Sequence, residues 1–152
     1  MADTLFWEND RVMLLDQTKL PVEQVYLACE DYRAVAAAIQ GMVVRGAPAI
    51  GVAAAMGIAL GALRTRAADR NDFRRQFEEI CGDFAKTRPT AVNLFWAIDH
   101  MKRLVDAHGD SSIESLQGLL KEEAIRMAGE DISINRRIGA MGKELISNVT
   151  RS

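Results

Sequence analysis

Between Ala47 and Leu63 the chain carries no charged side chain. A helix with no polar face must be surrounded by protein, so this run is expected to be the buried centre of the fold. Its length touches the lower limit of about 17 residues for a membrane-spanning helix. Its residues are mostly Ala and Gly, only weakly apolar, and Arg64, Arg66 and Arg70 follow with no aromatic anchor at either end. A core helix in a water-soluble domain is the reading. Pro48 suits its first turn, where a missing N–H costs nothing. Gly51, Ala54, Gly57 and Gly61 leave room for another backbone to approach.

The flanking segments supply the wrapping. Val12 to Leu15 and then Gln24 to Cys29 read as short strands of an antiparallel hairpin or meander. From Asp31, a natural N-cap, the period changes, with Val35, Ala38, Ile39 and Met42 on one helical stripe. Further helices are expected from about Asp72 to Lys86 (Phe73, Phe77, Ile80, Cys81, Phe84) and from Ala91 to about Val105 (Leu94, Ile98, Met101, Val105). A fifth follows a capping box at Ser111 and Glu114, with Ile113, Leu116, Leu120 and Met127 inward. A last helix carries Ile134, Ile138, Met141 and Leu145. The fold class is therefore α+β and mostly α, with short N-terminal antiparallel strands before a bundle of about six helices. The 152 residues suffice for one domain with its own core.

Charge and cysteine content narrow the partners. Nineteen basic and 21 acidic residues are intermixed for a net charge of -2, with no polybasic block to follow a phosphodiester backbone, so nucleic acid is not expected. The first residues lack a secretory layout and the two cysteines lie far apart, which suits a reducing cytoplasm. Cys29 and Cys81 read as small buried apolar groups. His100 and His108 have no ligand cluster around them, and no metal is expected.

Two junctions carry possible chemistry. In Val44-Arg45-Gly46-Ala47-Pro48 a cation, a glycine and a proline-started helix follow one another. The first N–H groups of a helix lack internal partners and the dipole is positive there, so a phosphate can be held by backbone donors and a forked arginine. Gly46 allows close approach, and Ala47 before proline is expected to be extended. Thr87-Arg88-Pro89-Thr90 repeats the pattern, with Thr90 or Asn93 as side-chain hydrogen-bond formers. Both junctions also fit ordinary helix starts with solvated arginines, Asn93 in a first turn and Trp96 in the core. Residue types alone leave the choice open.

The run from Met42 to Gly51 resembles the signature of methylthioribose-1-phosphate isomerases, a family shared with the regulatory subunits of eukaryotic initiation factor 2B. Thr87 to Leu94 is similar to the family's second segment and Asn135-Arg136-Arg137-Ile138-Gly139 to its third, while Leu20-Pro21 after a first strand agrees as well. The resemblance spans almost the whole chain. It implies an aldose-ketose isomerase of methionine salvage that converts 5-methylthioribose 1-phosphate to 5-methylthioribulose 1-phosphate with no metal and no organic cofactor. It also implies substrate contacts at Arg45, Gly46, Ala47 and Arg88, and a homodimer for the full-length protein.

In that family a cysteine and an aspartate act on the substrate. They belong to a Thr-His-Cys-Asn-type segment and a Rossmann-like domain that follow the stretch resembling Asn135 to Ile146. Neither Cys29 nor Cys81 stands in that context. The expectation is an N-terminal helical domain over 1–146 and a tail over 147–152, with the C-terminal Rossmann-like catalytic domain absent, no catalytic residue in this chain and no activity from it alone. The rival reading is a non-catalytic subunit domain, related to initiation factor 2B, that acts by protein association. Ribose-1,5-bisphosphate isomerases, a further relative, should differ around Pro48. A stand-alone helical interaction domain is a third possibility.

Overall fold

The computed structural model describes residues 5–19, 22–44 and 46–130. Three strands, β1 (Leu5–Glu8), β2 (Arg11–Leu15) and β3 (Tyr26–Cys29), form an antiparallel meander in the order β1-β2-β3. The meander was expected, but its first strand was not. Asn9 and Asp10, both near φ +55, join β1 to β2 as a two-residue turn of the kind that matches strand twist. Asp16 then closes a short 3-10 turn (Gln17–Lys19) by accepting from the Thr18 N–H at 2.9 Å and hydroxyl at 2.5 Å.

Five helices follow: α1 (Tyr32–Gln40), α2 (Ala47–Leu63), α3 (Arg70–Ala85), α4 (Val92–Ala107) and α5 (Ile113–Glu130). A sixth, expected around Ile134 to Leu145, lies outside the described residues. The others match the apolar stripes read from sequence, with small changes at their ends. Met42 leaves the α1 stripe. It takes φ +65 one residue beyond the C-cap Gly41, while the Val43 and Met42 N–H groups return to the Ala38 and Ile39 carbonyls and close the helix end. For α5 the capping side chain is that of Ser112, which accepts from the Ser115 N–H at 3.1 Å; the Ser111 capping box does not form. Trp96 is 56% exposed and not in the core.

The charge-free run is the centre of the fold. α2 packs against the other four helices and against β1 and β2, and its residues from Ala49 to Ala62 are buried. Gly57 and Gly61 are sealed by side chains, whereas a backbone neighbour was expected. A β-carbon on Gly57 would come within 2.3 Å of the Phe84 ring, and one on Gly61 within 2.8 Å of Ile80. A backbone does approach closely at Gly51, where the Asn93 carbonyl oxygen of α4 would lie 3.1 Å from an added β-carbon. That contact ties the start of α4 to the first turns of α2. Among the described residues no helix is long and apolar enough to cross a membrane.

Both cysteines are buried, and burial pushes the Cys29 thiol up to about 11 and that of Cys81 up to about 12. They remain protonated and inert at neutral pH.

Candidate functional site at two helix starts

The two junctions singled out in the sequence meet in space. The residues ahead of α2 and α4 line one cleft of about 510 Å³, in which Gly46, Ala47 and Ile50 face Arg88, Thr90 and Asn93. Arg45 lies outside the described residues. Met42 borders the same cleft because its left-handed backbone turns the chain toward α2.

Local geometry differs from expectation on both sides. Ala47 is the first residue of α2, not an extended one, and Pro48 follows it within the first turn. The unusual conformation belongs to Gly46, at φ 91 and ψ 136, a region open to glycine and strained for any other residue. Its carbonyl accepts the first helical hydrogen bond, from the Ile50 N–H at 3.0 Å. On the other side Pro89 sits in a tight turn before the helix, closed by the Ala91 N–H donating to the Arg88 carbonyl at 2.9 Å. Pro89 presets φ for that turn and α4 begins at Val92. Arg88 is thereby held half-buried at the cleft wall.

The N-termini of the helices fall into two groups. α1, α3 and α5 are each capped by a side chain, Asp31 accepting from Ala34, Asp69 from Asp72, and Ser112 from Ser115. α2 and α4 have Gly46 and Ala91 at the N-cap position, with no side-chain cap and no acidic residue in the first turn. The two helices that open onto the cleft therefore keep unsatisfied N–H donors and undiluted positive dipole ends, beside an arginine. An anion can supply the missing acceptors.

Behind the cleft lies an apolar groove of about 340 Å³ between α2, α4 and α5, reaching from Pro48 and Val52 to Trp96 and Met127, with Asn93 on the border of both spaces. Trp96 stacks on His100, the ring centroids 5.0 Å apart. His100 Nε2 lies 2.5 Å from Glu123, which also pairs with Arg126. The Arg126 guanidinium, helped by His100 and opposed by partial burial, draws the Glu123 carboxyl down to about 2. This cluster fixes α4 to α5 beside the groove. Among the described residues no group of three or more His, Cys, Asp or Glu side chains is placed to hold a metal ion.

Residues 43–151 match the model of the initiation factor 2 subunit family. The chain belongs to that family. It is 53% identical over 143 residues to a methylthioribose-1-phosphate isomerase of Geobacter sulfurreducens, and 44% identical over 149 residues to that of Desulforamulus reducens. Those alignments cover 94% and 98% of this chain but 41% and 43% of the relatives, so the chain spans under half the length of the curated proteins it matches.

Among solved structures, 5-methylthioribose 1-phosphate isomerase from Pyrococcus horikoshii superposes with a TM-score of 0.83 at 39% identity, over 87% of this chain and 37% of that one. The delta subunit of translation initiation factor eIF-2B from A. fulgidus gives 0.80 at 36% identity, over 87% and 38%.

Sequence reasoning found Gly46, Ala47 and Arg88, which the fold brings to one cleft. It missed Met42 at the rim. A glycine followed by a bulky residue at a helix end hinted at a left-handed turn, but the glycine itself was the more natural occupant.

Proposed function

We propose that this chain forms the substrate-anchoring part of an aldose-ketose isomerase that converts 5-methylthioribose 1-phosphate to 5-methylthioribulose 1-phosphate. The observation that carries the reading is the meeting of two uncapped helix N-termini and Arg88 at one cleft. The likeness to methylthioribose-1-phosphate isomerases supplies the substrate.

In this reading the phosphate lies against the first N–H groups of α2 and α4. Gly46 and Ala47 bring the backbone close, and Arg88 and Arg45 add charge-assisted hydrogen bonds. These residues bind and orient, and they move no proton. The resemblance assigns the proton-moving cysteine and aspartate to the part of the relatives that this chain does not match. In this reading turnover uses the proton-moving groups of the full-length protein, and the 152 residues anchor and orient the substrate. They act in the cytoplasm and, in the full-length protein, as part of a homodimer with no organic cofactor.

Titration of the chain with 5-methylthioribose 1-phosphate tests this. Arg88→Ala should weaken binding by about tenfold or more, as expected for loss of a charge-assisted contact. Unchanged affinity would sink the substrate-anchoring role, and turnover by the 152-residue chain would sink the division of labour. A second reading, a domain acting through protein association like an initiation factor subunit, is favoured by the likeness to the eIF-2B delta subunit. It predicts a stable protein complex and no sugar-phosphate affinity.

A further inference from the structure

We propose, on the sugar-phosphate reading above, that Gly51 is a positioning residue of the cleft. By lacking a side chain it sets how far Arg88 stands from the Gly46–Ala47 backbone, and so fixes the span of ligand that both walls can hold together.

The contact it makes is between backbones. A β-carbon on Gly51 would lie 3.1 Å from the Asn93 carbonyl oxygen and 3.4 Å from the Asn93 β-carbon. Ordinary van der Waals contact begins near 3.4 Å, so an added methyl displaces Asn93 by a few tenths of an ångström. No side-chain rotation relieves the crowding, because the nearest atom belongs to the main chain.

Both walls of the cleft are joined to this point by short, stiff connections. Ala47 precedes Gly51 by about one turn of α2. On the other side Arg88 reaches Asn93 through a turn stiffened by Pro89. That turn is pinned by the Ala91 N–H, which donates to the Arg88 carbonyl at 2.9 Å, and by the Leu94 N–H, which donates to the Ala91 carbonyl at 3.1 Å. A shift at Asn93 is therefore passed on to Arg88.

Burial decides which helix yields. α2 is enclosed by the four other described helices and two strands, and Ile50 and Val52 are buried beside Gly51. The start of α4 is held by Leu94 on its inner side, but Val92 and Trp96 on its outer side are 78% and 56% exposed. α4 leans outward and the cleft widens. Gly51 does not line the cleft, so a methyl there takes no space from the ligand and acts through distance alone. Paired contacts respond at this scale: about 1 Å of misplacement can cost on the order of a hundredfold, and a few tenths proportionally about fourfold.

Titration of the 152-residue chain with 5-methylthioribose 1-phosphate, alongside urea denaturation, tests the assignment. Gly51→Ala should fold with a similar urea midpoint, since the better helix propensity of alanine offsets the crowding, and should bind about fourfold more weakly. Gly61→Ala is the control, because its β-carbon meets the movable end of Ile80 at 2.8 Å, at the end of α2 remote from the cleft. It should leave affinity unchanged. In an Arg88→Ala background Gly51→Ala should weaken binding further by less than about twofold, because the distance it alters no longer ends on a charge. Binding by the unsubstituted chain that Gly51→Ala leaves intact overturns the positioning role and spares the sugar-phosphate reading. The same holds if the fourfold loss persists without Arg88, if Gly61→Ala matches it, or if Gly51→Ala does not fold. Failure of the unsubstituted chain to bind overturns both.

Discussion

The two ends of α2 use the same small residues for opposite purposes. Toward its C-terminal end Gly57 and Gly61 are filled by Phe84 and Ile80, with Val35 and Tyr32 of α1 alongside. Toward its N-terminal end Gly51 admits the α4 backbone, and what lies beyond is a cleft and a groove. One end is optimised for packing. The other leaves the first N–H donors of α2 and α4 without side-chain caps and Val92 and Trp96 exposed.

The largest expected effect is at the sealed end. Phe84→Ala removes a fully buried ring from the contact with Gly57 and should cost about 3–5 kcal/mol, read by urea denaturation. A loss under 1 kcal/mol would show that this end is not held by packing.

The open side depends more on charge. Glu123 is held near a pKa of about 2, below its ordinary 4.5, so its contribution is complete above pH 4.5 and lost as pH falls toward 2. Glu123→Gln should flatten that acid limb of the melting profile by about 1–2 kcal/mol, a figure discounted because the Arg126 partner is half exposed. An unchanged acid limb would remove Glu123 from the account.

Smaller effects probe the capping contrast. Asp69→Ala at the capped start of α3 should destabilise by about 1 kcal/mol. Ala91→Asp at the uncapped start of α4 should act in the opposite direction, raising stability by roughly 0.5 kcal/mol while displacing any phosphate from the same N–H groups. If Ala91→Asp brings stability with no loss of sugar-phosphate affinity, the open helix starts have no binding role.

Much of this contrast was legible before the fold was known. The charge-free run marked α2 as central, the stripe of α3 named its buried face residue by residue, and that of α4 named all of its buried face but Ala97. Asp31 capped α1 as its chemistry suggested. The failures have physical causes. Asn9-Asp10 is a turn signal, but the strands it joins are four and five residues long, too short to show clear alternation. Ser111 and Ser112 are chemically equivalent caps, and only the packing of α5 chooses between them. Pro89 fits a helix start and a tight turn equally well, since both want the same φ. Trp96 read as core because its size suggests burial, while its position on α4 turns it outward. As for the cleft, its two halves were each readable, but their meeting depends on the α2 and α4 backbones crossing at Gly51, which no local pattern encodes.

The absence of a wettable face on α2 also has a kinetic consequence. A helix that packs against the four other described helices and against two strands has no partial unfolding that frees it while these neighbours stay in place. Its central amides, from Val52 to Leu60, should exchange with solvent only when the whole domain opens. They would then serve as an internal clock for global unfolding, against which every looser motion around the cleft can be timed.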